Sequence, residues 1–269
     1  MSTRRLVFGD DGSAAADVVW LWITGHDWPA WTVSVVTAQQ PVRFAVLPPE
    51  RATLHPWTPK HPRELLRGAP DTVVEHLVAE ADPRVVLDSS GDADLLVVGP
   101  RGRGALKQLH IGSTTEWLLA RPNPPVAIIR TGRPTRHVVM CADGSRHARL
   151  AATTLANLPW IGGCQVTVLA VDDGKSDAEG ALEDAAAVLR GAGVDPHTLR
   201  ADGRHHGHTA NRDVRAVILG ELAALDADLV ALGTRGIGAV RRTFIGSTAS
   251  AVALHAPCSV LVAYDPAGE

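Results

Sequence analysis

The chain has 269 residues, of which 45% are hydrophobic and 20% charged, and its formal net charge is −3. This composition excludes a disordered, collagen-like or disulfide-stapled chain, and the near-neutral balance supplies no global basic field to draw nucleic acid or an anionic membrane. The length suits one large domain or two of about 130 residues, and either can bury a core.

Residues 5–8 are a short apolar run leading to Asp11-Gly12-Ser13, a strand followed by a turn and a helix start. Trp31–Ala38 is β-branched and reads as a second strand. Residues 40–70 carry Pro41, Pro48, Pro49, Pro56, Pro59, Pro62 and Pro70, a density that prevents a long regular helix and leaves at best one short turn at 63–67. Residues 94–98 and 125–129 are continuous apolar runs, as expected of strands buried on both faces. Between them, 113–120 reads as a helix with Ser113 at its N-cap. Further on, His137–Cys141, 165–171, 228–232 and Ser259–Ala263 read as strands. Residues 179–191 form an amphipathic helix, and Ser247–His255 a helix with Ser247 at its N-cap.

The second set of elements copies the first. Residues 92–104, D-A-D-L-L-V-V-G-P-R-G-R-G, recur 134 positions later as D-A-D-L-V-A-L-G-T-R-G-I-G. Ile111-Gly112-Ser113-Thr114 recurs as Ile245-Gly246-Ser247-Thr248, and Asp11-Gly12-Ser13 as Asp143-Gly144-Ser145. The chain is therefore a tandem duplication joined near Gly132-Arg133-Pro134, with domains expected at 1–133 and 134–269. The first copy holds the proline-rich insertion (about 40–70) and six of the seven tryptophans, so the copies are expected to have diverged in their surfaces. Alternating strands and helices predict an α/β fold, with an open parallel sheet covered by helices on both faces.

Any chemistry is expected after the fourth strand of each copy. Gly99 and Gly102 are followed nine residues later by Gly112-Ser113, and Gly233, Gly236, Gly246 and Ser247 repeat the spacing. Glycines let backbone N–H groups approach a polyanion, a helix N-terminus favours negative charge, and ligands of open parallel sheets settle beyond the strands' carboxyl ends. Arg101, Arg103, Lys107, Arg235, Arg241 and Arg242 add positive charge nearby. The same glycines would also serve a tight strand-to-helix connection that binds nothing.

The segments G-P-R-G-R-G-A-L-K-Q-L-H-I-G-S and G-T-R-G-I-G-A-V-R-R-T-F-I-G-S resemble the G-x2-G-x9-G-S/T signature of universal stress proteins. The D-G-S after the first strand and the apolar final strand match as well, in both copies. The resemblance implies a five-stranded parallel sheet per copy in the order 3-2-1-4-5, with the two final strands pairing to make an intramolecular pseudo-dimer. It leaves open a further homodimer. It also implies the ATP-binding type of the family, with ATP, with or without Mg, as ligand. Asp11 and Asp143 would then lie beside the adenosine, and Ala38 and Val171 would offer backbone hydrogen bonds to adenine. Gly99, Gly102, Gly112, Ser113 and Thr114 would hold phosphates in the first copy. Gly233, Gly236, Gly246, Ser247 and Thr248 would do so in the second. Asp11 and Asp143 would equally serve as turn or cap residues.

The first copy departs from the second at Gly9-Asp10, where the second has Cys141-Ala142. The extra carboxylate could repel phosphate or help hold a metal, and the insertion could cover the site, so the second copy is the stronger candidate. His205, His206 and His208 lack an acidic or cysteine partner at ligand spacing and read as an exposed loop. Cys141, Cys164 and Cys258 form no C-x-x-C pair, so no metal or disulfide framework is expected. There is no P-loop, no nucleophile elbow and no evident general base, which suits nucleotide binding with slow turnover at most. An interaction protein with purely structural glycine loops is the alternative, and an ATP-hydrolysing or adenylyl-transferring enzyme is a third reading. The start MSTRRLVFGDDG lacks the apolar stretch of a signal peptide, and no apolar run reaches the roughly 18 residues of a membrane span, so a cytoplasmic location is expected.

Overall fold

The computed structural model describes residues 3–38, 73–102, 111–121, 124–174, 176–203, 213–234 and 245–264. The insertion at 40–70 with its short turn, Gly236, Arg103, Lys107, Arg235, Arg241, Arg242 and the three clustered histidines lie outside the described residues. The first repeat contributes β1 (Arg4–Gly9), α1 (Ala14–Thr24), β2 (Trp31–Ala38), β3 (Val73–Ala79), α2 (Pro83–Asp88), β4 (Leu95–Val98), α3 (Ser113–Leu119) and β5 (Val126–Ile128). The second contributes β6 (His137–Cys141), α4 (Arg146–Ala156), β7 (Gln165–Asp172), α5 (Ala178–Gly191), β8 (His197–Asp202), α6 (Val214–Ala224), β9 (Leu229–Gly233), α7 (Ser247–His255) and β10 (Ser259–Ala263).

These ten strands form one sheet in the order β3-β2-β1-β4-β5-β10-β9-β6-β7-β8. Each repeat keeps the order 3-2-1-4-5 with parallel neighbours, and the repeats meet where β5 and β10 run antiparallel, Ala127 opposite Leu261. The two final strands thus pair as expected of a pseudo-dimer. Alternation along each strand decides the layers, because successive side chains point to opposite faces. Leu6, Phe8, Met140 and Leu261 face a core shared with α1, α4 and α5. Val7, Val139, Leu232 and Val260 face a second core shared with α2, α3, α6 and α7. Burial on both sides explains why the central strands read as continuous apolar runs.

The helices do not all begin in the same way. Ser13 and Ser145 cap α1 and α4, accepting hydrogen bonds from the Ala16 and Ala148 amides at 3.2 and 3.1 Å. Ser113 and Ser247, expected as N-caps, are instead the first helical residues of α3 and α7. The caps are Gly112 and Gly246, and neither helix has a side-chain cap hydrogen bond. In D-G-S the serine precedes the helix, whereas in I-G-S-T the extended glycine does, so the backbone turn falls one residue earlier.

Four tryptophans of the first repeat, Trp20, Trp22, Trp28 and Trp31, are buried, and Trp117 is half-buried. Trp22 and Trp28 are closed off from solvent and pack with His26 against Trp160 of the second repeat. The connecting segment seals this cluster. Thr135 donates its N–H to His26 Nε2 at 2.9 Å, its hydroxyl accepts from Trp22 Nε1 at 3.0 Å, and its carbonyl accepts from the Cys164 thiol at 3.3 Å. Gly132 lies against Leu21, and Pro134 against Gly25, so the connection runs over α1. The related helix α4 has no such cover among the described residues. A cavity of about 390 Å³ opens there between Leu150, Asn157 and Tyr264 on one side and Arg4, Trp31 and Pro125 on the other. Arg130 adds a last tie, its guanidinium donating to the Ala253 carbonyl at 2.6 Å near the C-terminus of α7.

Candidate functional site

In each repeat the first strand lies between the second and the fourth, and the crevice at that switch point opens at the strands' carboxyl ends. Because β5 and β10 are antiparallel, the two crevices open toward opposite edges of the continuous sheet.

In the second repeat the crevice is a cavity of about 460 Å³. Its walls are the ends of β6 and β7 (Cys141 to Asp143, Leu169 to Val171), Asp173 and Ser176 beyond β7, Val214 and Ile218 of α6, and Gly233, Thr234 and Gly246 to Ala249. Of the residues singled out in this repeat, Asp143, Val171, Gly233, Gly246, Ser247 and Thr248 surround one space. Gly236 lies outside the described residues.

The side chains have separable tasks. Asp143 Oδ1 accepts from the Ser145 amide at 2.9 Å, closing the turn into α4, while the residue also faces the cavity. Ser176 is held to Asp173 Oδ1 through both its amide and its hydroxyl at 3.0 Å. Val171, Val214 and Ile218 give the cavity an apolar wall, and Gly246 to Thr248 give it the start of α7. Among the described residues no side chain caps that start, which leaves its first-turn amides for another acceptor. Gly233 has a different reason to be glycine, since a β-carbon there would lie 2.6 Å from His147 Cβ and 2.7 Å from the Ala148 amide nitrogen. It lets α4 close onto the end of β9. Burial pushes the Cys141 thiol up to about 12, so it is no thiolate nucleophile near neutral pH.

The first repeat draws together a matching set. Asp11 Oδ1 accepts from the Ser13 amide at 3.0 Å, and a β-carbon on Gly102 would run into the Asp11 carboxylate. The Gly112 amide donates to the Pro100 carbonyl at 2.7 Å, as Gly246 does to Thr234 at 2.7 Å. Gly99 packs against Ala15 of α1, and the Thr115 hydroxyl donates to the Gly99 carbonyl at 3.0 Å. Ser113 and Thr114 open α3, which is only seven residues long, and Ala38 ends β2 opposite Ala79. Asp10, the extra carboxylate, is turned inward and 4% exposed. Its oxygens accept from the Gly12 amide at 2.8 Å and the Trp20 indole at 2.9 Å, so the fold itself occupies both.

Sequence reasoning missed Asp173, Ser176, Val214 and Ile218, which fall in segments where the copies show no shared motif. It also missed Thr234 and His147, whose side chains meet at 3.0 Å across 87 residues. The T-R-G that replaces P-R-G marks Thr234 as a difference between copies, but nothing in the sequence pairs it with a histidine.

A tandem α/β protein with a paired-sheet core and a glycine-bordered crevice at each switch point is the class defined by this geometry. The sequence model of the universal stress protein family matches residues 3–130 and again 134–263, and the chain belongs to that family. A universal stress protein of Mycolicibacterium smegmatis is 28% identical over 203 residues, 71% of this chain and 68% of that protein. The solved universal stress protein of Archaeoglobus fulgidus superposes with a TM-score of 0.71 at 18% identity, over 98% of this chain and 99% of its own. A Pseudomonas aeruginosa protein of unknown function shares the fold with a TM-score of 0.61 at 15% identity, over 98% of this chain and 93% of its own. Among the described residues no helix is long and apolar enough to cross a membrane.

Proposed function

We propose that the second repeat binds an adenine nucleotide, ATP, as a regulatory ligand with little or slow turnover. The observation that carries this reading is the glycine-capped N-terminus of α7 at one end of a cavity of about 460 Å³ that mixes polar groups with an apolar wall. Amides and helix dipole favour a polyphosphate there, while Val171, Val214 and Ile218 suit a flat base. Asp143, which lines the same cavity, is assigned to a ribose or base donor. Mg would be carried by the phosphates, since no group of three or more metal-ligating side chains occurs among the described residues. The matching residues of the first repeat, Asp11, Ala38, Gly99, Gly102, Gly112, Ser113 and Thr114, are assigned the lesser part. Isothermal titration of ATP, with mass spectrometry of the purified protein for retained nucleotide, tests the reading. Saturable binding below millimolar ATP supports it, and the absence of both binding and retained nucleotide overturns it.

A second reading treats the glycines as fold-building only, in an interaction protein. The packing of Gly233 against His147 favours it at that one position. Under this reading Gly246→Asp folds normally and changes no ligand content, whereas under nucleotide binding the added carboxylate abolishes retention.

A further inference from the structure

Thr234 has all its polar groups engaged, although it lies between β9 and the glycine loop, where a solvated turn would be ordinary. Its N–H donates to the Ala263 carbonyl at 2.8 Å, and its carbonyl accepts from Gly246, the cap of α7, at 2.7 Å. Its hydroxyl is hydrogen-bonded to His147 Nδ1 at 3.0 Å, and the residue is only 4% exposed. His147 is itself fixed twice. Its backbone and β-carbon lie against Gly233, and its ring meets Tyr264 nearly edge-on, with centroids 5.4 Å apart.

The first repeat shares only part of this. The Pro100 carbonyl accepts from Gly112 in the same way, but proline has neither N–H nor hydroxyl, and Ala15 stands where the second repeat has His147. Both repeats therefore hang their α3 or α7 cap on one carbonyl hook, and only the second ties the hook down from the side. The direction of the first amides of α7 depends on where Gly246 is held. A phosphate gains from those amides only if they converge on it.

We propose that His147 is a positioning residue for the phosphates of the nucleotide bound in the second repeat, acting through Thr234 on Gly246. The inference rests on the nucleotide reading given above. It assigns the imidazole a task separate from recognition of the base, which the cavity's apolar wall serves. It also gives a chemical reason for the two crevices to differ in their affinity for phosphate.

The test compares adenosine with ADP by isothermal titration, using the full-length wild type, His147→Ala, His147→Asn and Thr234→Val. Loss of one buried hydrogen bond weakens ADP about two- to tenfold in His147→Ala and Thr234→Val, with adenosine unchanged. His147→Asn, whose amide can reach the Nδ1 position, restores ADP. Combining His147→Ala with Thr234→Val adds no further loss, as expected of one shared contact. In the ligand-free protein, amide hydrogen exchange at Gly246 becomes faster in His147→Ala, a readout that needs no nucleotide. Equal weakening of adenosine and ADP, unchanged ADP binding in His147→Ala, or unaltered Gly246 exchange overturns the assignment while leaving the nucleotide reading in place. A wild type that binds neither ligand overturns both.

Discussion

His26 Nε2 accepts a hydrogen bond from the backbone N–H of Thr135 at 2.9 Å, while His26 Nδ1 lies 2.7 Å from the Trp22 carbonyl. A nitrogen that accepts from an amide carries no proton, so Nδ1 holds the proton and the imidazole is neutral. Burial between Trp22 and Trp160 lowers its pKa from the ordinary 6.5, only partly offset by the Trp22 hydrogen bond and by Asp27. Below pH 6.5 the unfolded chain takes up a proton that the native junction refuses. Stability is full above that pH and falls as pH drops toward the lowered native value, by up to about 1.4 kcal/mol per pH unit for this group. Urea unfolding at pH 5 to 8 should show a shallower acid loss in His26→Gln than in the wild type. Parallel curves would count against the assignment.

Trp22 supplies both an apolar ring and a hydrogen bond to Thr135 at the centre of the junction. Trp22→Ala should destabilise the protein by about 3–5 kcal/mol, and Thr135→Val by about 1–3 kcal/mol because the indole N–H loses its acceptor. Denaturant midpoints for the two variants check the order.

The repeats differ in how tightly helix meets strand. An added β-carbon at Gly233 would meet the His147 and Ala148 backbone at 2.6 and 2.7 Å, whereas at Gly99 the nearest atom is Ala15 Cβ at 3.0 Å. Gly233→Ala should therefore cost about 1–3 kcal/mol and Gly99→Ala less, with Gly162→Ala, where no atom lies within 4 Å, as the neutral reference. Thermal melts rank the three.

Burial raises the Cys141 thiol to about 12 and the Cys164 and Cys258 thiols to about 11. At pH 8 all three stay protonated in the native state, so a colorimetric disulfide reagent should label the native protein much more slowly than the urea-unfolded chain. Rapid native labelling of any one would contradict this.

The central strands were legible because they are buried on both faces and occur twice. Residues 94–98 and 228–232 show no alternation to misread, and each becomes a strand. The edge strands β3 and β8 escaped notice. V-V-E-H-L-V-A and H-T-L-R-A-D mix polar with apolar residues and are largely exposed along much of their length, so no single period marks them. The glycine motif located the crevice, yet its glycines divide into two kinds that look alike in sequence. Gly233 makes room for a helix, and Gly246 caps a helix start without a side chain of its own. The tryptophan count pointed to asymmetry but not to its place, because the cluster joins Trp22 and Trp28 to Trp160, more than 130 residues away.

Two identical subunits meeting about a two-fold axis must repeat every substitution on both sides of it. Fusing the halves through one connection lifts that obligation. Thr135 seals the side next to α1, while among the described residues the side next to α4 opens as a hollow of about 390 Å³ beside Tyr264. Each repeat is thereby free to diverge on its own side of the β5–β10 seam, as Pro100 and Thr234 have, a freedom that a dimer of identical chains does not have.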